Sequence, residues 1–121
     1  MANPNLVNVT SIYGKTYASN LTTSSNTAQL TCASNKLYKV NTVLIANIDG
    51  TNAANVYLQH NDGSNNRYKI AEAVSVPANT TLVIIGKDSP IYLEESQILE
   101  AWASANSDLS IVISYEILDD A

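Results

Sequence analysis

Hydrophobic and polar residues alternate along most of this chain. The clearest run is Leu109, Ile111, Ile113, Tyr115 and Ile117, with Ser110, Val112, Ser114 and Glu116 between them. Successive side chains of a strand point to opposite faces, so the run predicts a strand with one buried and one mostly wet face. Residues 38–48 repeat the pattern. Tyr38, Val40, Thr42, Leu44, Ala46 and Ile48 read as a core face, and Lys39, Asn41, Val43, Ile45 and Asn47 as an outer one. Val43 and Ile45 on that outer face then need cover from another sheet or another subunit. Shorter strands are expected at 5–11, 17–22, 28–32, 56–58, 67–76, 82–85 and 91–93. In 67–76, Tyr68, Ile70, Val74 and Val76 share a face that Glu72 interrupts, and a bulge there turns Glu72 outward. The unbroken apolar stretch 82–85 suits a strand covered on both sides.

Residues 97–105 carry two patterns. Ile98, Trp102 and Ala105 have helical spacing. A strand instead places Leu99, Ala101 and Ala103 on the core and Ile98, Glu100 and Trp102 opposite. The turn-like Glu94-Glu95-Ser96 before them favours the strand. Asp49-Gly50 and Asp62-Gly63 are hairpin dipeptides, because Gly accepts positive φ. Pro77-Ala78-Asn79, Asp88-Ser89-Pro90 and Asn106-Ser107-Asp108 mark further breaks. Short strands at such intervals predict an all-β chain: one antiparallel β-sandwich domain over 1–121, of jelly-roll type, with about eight strands and short flexible ends. Strands do not alternate with long helical patterns, which argues against a parallel α/β sheet.

Composition narrows the function classes. Charged residues are only 14% of the chain, and 15 Asn, 13 Ser and 10 Thr stand in their place. A net charge of −5 with six Lys plus Arg gives no electrostatic footprint for nucleic acid. No apolar run is long enough for a membrane helix, and residues 1–8 lack the features of a secretory signal. One Cys and one His leave no disulfide framework and no His/Cys metal cage.

Catalytic readings are thin. Any triad or thiol dyad must use His60, which enters the turn at Asp62-Gly63, and Cys32, which lies in an expected strand with no basic neighbour in sequence to activate it. Asp49, Asn52, Asp62 and Asn65 offer oxygen ligands but lack the alternating spacing of a Ca²⁺ loop. Turn chemistry accounts for them. Glu94, Glu95 and Glu100 invite an acid–base reading, against which a solvated turn is the simpler one. We therefore expect no enzyme, no cofactor and no metal. Seven Tyr and no Phe are more telling, since Tyr suits half-wet interfaces. Tyr38 and Tyr115 fit a core. Tyr57, Tyr92 and Trp102 join Val43 and Ile45 as expected interface residues.

Four segments carry a resemblance: Asn8 through Lys15, Val76 through Ile84, Lys87 through Glu95, and Ile111 through Ile117. In order and spacing they resemble small β-sandwich virion proteins of tailed bacteriophages, particularly of cyanophages and related aquatic phages. Such proteins usually have Gly and Asp after the Glu pair, where this chain has Ser96 and Gln97. The resemblance implies a many-copy virion component made in the host cytoplasm. The leading expectation is a capsid decoration (cement) protein that forms homo-oligomers and contacts other virion proteins, such as the major capsid protein. A neck, collar, tail or fibre-attachment subunit is the alternative within that class. A carbohydrate-binding module using exposed Tyr and Trp is the alternative from another class.

Overall fold

The computed structural model describes residues 11–119, and within them the chain is built of strands without helix. Nine strands follow in order: β1 (Ser11–Asn20), β2 (Ala28–Thr31), β3 (Lys36–Asn47), β4 (Ala54–Asn61), β5 (Arg67–Val76), β6 (Thr81–Ile85), β7 (Ile91–Leu93), β8 (Ile98–Ala103) and β9 (Leu109–Asp119). The expected strand at 5–11 lies outside the described residues apart from Ser11, which opens β1. The ambiguous stretch 97–105 is strand β8, and Leu99, Ala101 and Ala103 do face the core.

Two antiparallel sheets pack as a β-sandwich. Sheet A runs β1-β9-β3-β6, with β7 also pairing β3, and sheet B runs β2-β8-β4-β5. The core between them holds Ile111 and Ile113 of β9, Val43 and Ile45 of β3, Val56 and Leu58 of β4, and Leu99 and Ala101 of β8. Tyr38 and Tyr115 extend it, their rings 5.3 Å apart. Buried amides tie the sheets together. Gln29 of β2 accepts hydrogen bonds from Tyr17 and Ser19 of β1 at 3.1 and 2.9 Å and donates to the Ala101 carbonyl at 3.0 Å. Asn47 at the end of β3 donates to the Val76 and Asn52 carbonyls at 2.8 and 3.0 Å. A buried amide so fully engaged offsets its desolvation and fixes the register of the elements it joins.

Several expectations are corrected. The even-numbered core face of β3 holds only as far as Val40. The register against β9 shifts between Val40 and Thr42, so Asn41 is an extra residue that has no partner in the ladder. Beyond it the inward parity switches, and Val43 and Ile45, both 0% exposed, lie in the core. Leu44 and Ala46 turn outward. Asp49-Gly50 does not make a hairpin. It lies in the passage from β3 in sheet A to β4 in sheet B, where the Asp49 carboxylate accepts from the Thr51 and Asn52 amides. Asp62-Gly63 does lie in a hairpin, between the paired Asn61 and Arg67, with Gly63 at φ 89°.

In β5 there are two register shifts, not one. They fall at Ile70 and around Glu72 and Ala73, and Ala73 adopts φ 52°. β5 is also an edge strand, so Tyr68, Ile70 and Val74 remain exposed and only Ala71 and Val76 are buried. β6 is covered on one side only. Ile85 is buried while Val83 is 57% exposed.

Candidate functional site

The five expected interface residues fall in three places. Val43 and Ile45 belong to the core and offer nothing to a partner. Tyr57 and Trp102 sit opposite each other on β4 and β8, on the outer face of sheet B. Tyr92 is exposed on β7, on the outer face of sheet A beside Lys39. No single site collects them.

The outer face of sheet B is polar yet covered. Glu100 of β8 is 3% exposed. Its carboxylate accepts from Gln59 Nε2 at 2.6 Å and Asn61 Nδ2 at 3.1 Å, both on β4, and from Arg67 Nε at 3.0 Å on β5. Gln59 Nε2 also donates to Asn26 Oδ1 at 2.7 Å, which draws the β1–β2 loop onto this face. Cross-strand pairing explains the cluster, because Gln59 lies directly opposite Glu100. Among the described residues no buried side-chain nitrogen or oxygen lacks a partner. Burial pushes the Glu100 carboxyl upward, but the bonds from Gln59, Asn61 and Arg67 outweigh it and hold the pKa below the ordinary value. A carboxylate so held is a clamp across β8, β4 and β5. It is poorly suited to exchanging protons with a substrate.

Next to the clamp, Tyr57 stacks on Trp102 with centroids 5.1 Å apart and planes 2° apart. Lys69 Nζ lies 4.7 Å from the Trp102 ring centre and 3.2 Å from Glu72. Trp102 is thereby 8% exposed, which leaves little of the indole for a sugar to stack on. Cys32 and His60 are each engaged elsewhere. Cys32 Sγ lies 3.2 Å from the Lys36 carbonyl, and burial raises its pKa to about 11. His60 Nε2 is 3.1 Å from Gln97 Oε1, an oxygen that also accepts from the Glu94 amide. That shared acceptor fixes His60 Nε2 as a donor. Glu95 accepts from the Asn35 amide at 2.8 Å.

The outer face of sheet A has a different character. Directly opposed residues of antiparallel strands share a face, so the pairings define rows across it. One row is Ala18, Val112, Leu44 and Val83. Thr16, Ser114 and Thr42 form the next row on one side, and Asn20, Ser110, Ala46 and Thr81 the next on the other. None of these eleven residues carries a charge. Val83 is 57% and Val112 36% exposed, so the middle row presents apolar surface to solvent. Charge returns in the row of Gly14, Glu116, Lys39 and Tyr92. Pattern reading missed this face because Leu44 and Ala46 counted as core and Val112 as an isolated exception. Its one mark in the sequence is the lack of Lys, Arg, Asp and Glu from 40 to 48 and from 109 to 115.

No family model, curated protein or solved structure matches the chain.

Proposed function

We propose that this chain is a structural subunit of a phage virion, a capsid decoration (cement) protein that acts by assembly and not by turnover. The observation that carries the reading is the uncharged, partly apolar outer face of sheet A. Contiguous exposed apolar surface marks interaction sites, and the centres of protein interfaces are depleted in charge. The strand order β1-β9-β3-β6 against β2-β8-β4-β5 supports a jelly-roll type of wrapping, an architecture found in viral capsid and in lectin domains alike. Between those two, the covered face of Trp102 favours assembly over glycan binding. Fold alone does not decide function. The segments that resemble phage virion proteins add independent support.

In this reading the Ala18–Val112–Leu44–Val83 row lies against a neighbouring virion protein, with Thr, Ser and Asn around it supplying hydrogen bonds. Neutral polar groups lose less on burial than ions do. Repetition over a shell turns modest contacts into firm attachment.

The test is a double substitution, Val83→Asp with Val112→Asp. Both side chains are exposed, so thermal stability should change by no more than about 1 kcal/mol. Binding to undecorated phage heads should fall more than about tenfold, as desolvating a charge at an interface requires. Unchanged binding would remove sheet A as the attachment face. Failure of the wild-type protein to bind heads at all would remove the decoration role.

A further inference from the structure

Four sheet edges exist among the described residues, and they are not alike. The β2 edge is four residues long with a register shift against β8. The β6 edge is five residues long and shifts register against β3, and the neighbouring β7 has only three residues. The β5 edge is long, but it carries two bulges and the charged Arg67, Lys69 and Glu72. These are the usual ways in which a sheet blunts an edge against pairing. The β1 edge has none of them except one lysine. It is ten residues long, contains no proline, and pairs with β9 in an unbroken register from Ser11↔Asp119 to Asn20↔Ser110.

The direction of its outer hydrogen-bonding groups follows from one bond. Leu21 donates its amide to the Leu109 carbonyl at 2.8 Å, continuing the same register. Backbone groups of an antiparallel strand alternate between its two sides. The odd residues of β1 therefore face β9. The even residues Ile12, Gly14, Thr16, Ala18 and Asn20 direct N–H and C=O away from it. Ile12 is well exposed, as are Gly14, Thr16 and Ala18.

We propose that two copies of this chain join edge to edge through β1, antiparallel about a twofold axis at Thr16, so that the two copies of sheet A become one continuous sheet. The inference deepens the assembly reading above, on which it rests, by naming the partner and the register. In this register Thr16 bonds with Thr16 of the second copy, Gly14 with Ala18, and Ile12 with Asn20, all residues whose backbone groups face outward. Paired threonines are favourable cross-strand neighbours.

Charge disfavours the adjacent register centred on residue 15. Lys15 is the one residue of β1 that is charged at neutral pH. Centring the axis on residue 15 would set two lysines opposite each other. Centring it on Thr16 sets each Lys15 against Tyr17 of the other copy, whose hydroxyl is already anchored on Gln29. The strand has no carboxylate, so two molecules of net charge −5 meet along an edge that carries none of their excess negative charge.

The full-length chain is examined by analytical ultracentrifugation, with thermal unfolding as a check on the fold. Thr16→Pro deletes an amide that points away from β9, so the sandwich keeps its own ladder. Thr16→Lys opposes two lysines on the axis without any backbone change. Thr16→Val keeps the amide and the branched side chain. Wild type and Thr16→Val should be dimers. Thr16→Pro and Thr16→Lys should be folded, with dimer dissociation constants raised at least about tenfold, since each dimer loses two hydrogen bonds or gains a like-charge contact. In a Cys32→Ser background, Thr16→Cys should oxidise to a covalent dimer, because directly opposed residues lie within disulfide reach. A wild-type monomer at about 100 µM, or a dimer unaffected by both Thr16→Pro and Thr16→Lys, overturns the proposal. Head binding by the wild-type chain is scored separately. A monomer that binds heads removes the β1 pairing alone, whereas a β1-paired dimer that does not bind them removes the decoration role alone.

Discussion

A carboxylate held by three donors and shut away from water is sensitive to the loss of any of them. Glu100 is in that position. Replacing it with Ala strands the buried amides of Gln59 and Asn61 as well as Arg67, and should cost about 2–3 kcal/mol in thermal or denaturant unfolding. Its pKa is lower in the folded state than in the unfolded one. The stability it contributes is therefore fully present above about pH 4.5, the unfolded value, and is lost as pH falls through the lower folded value. Asp49 and Asp62 have the same sign, each lowered by hydrogen bonds within its own turn. Melting temperature should therefore drop on acidification below about pH 4.5, and Glu100→Gln should flatten that drop while lowering stability at neutral pH. A variant as acid-sensitive as wild type would show that the clamp is not a source of the effect.

At the scale of elements, β3 is the strand whose behaviour matters most, since it pairs with β9, β6 and β7. The extra residue Asn41 is the reason its core positions change from even to odd numbers along the strand. Ile45→Ala should cost about 3 kcal/mol, the usual penalty for emptying a buried site, whereas Leu44→Ala should cost under about 1 kcal/mol. Equal costs would contradict the switch of face. Deleting Asn41 should leave Val43 and Ile45 in the core, because Val40↔Tyr115 and Thr42↔Ser114 then become consecutive pairs of a regular ladder, and the variant should still unfold cooperatively, within about 1–2 kcal/mol of wild type. The sequence marks β9 and the bounds of β5 and β7 well, for their alternation or flanking turns are local, but the two bulges of β5 and its exposed faces were not legible. The bulge in β3 leaves no such mark. Asn41-Thr42 is an ordinary polar pair, and only the ladder with β9 makes one of the two residues supernumerary. Asp49-Gly50 was misleading for a related reason. A turn dipeptide sets local backbone shape but says nothing about which sheet the next strand joins. Of the expected interface residues, Tyr57, Tyr92 and Trp102 do lie on outer faces. The uncharged face of sheet A could not be read beforehand, because its rows exist only once the register across β1, β9, β3 and β6 is known.

Over the whole molecule, scarcity of charge is unevenly spread. Sheet B gathers Glu100, Arg67, Lys69 and Glu72 on its outer side, while much of the outer side of sheet A has none. The two outer sides differ in character, one charged and the other uncharged and partly apolar. The core between them encloses Cys32, the chain's single thiol, buried and with a pKa of about 11. At neutral pH only about one such thiol in ten thousand is ionised, and it is 2% exposed. The molecule thus contains its own clock for opening. A maleimide added to the native protein should react at a rate set by how often the sandwich comes apart, faster by about tenfold for every 1.4 kcal/mol of lost stability when reclosure outruns labelling. Glu100→Ala and Ile45→Ala should both speed that clock, and Leu44→Ala should barely move it.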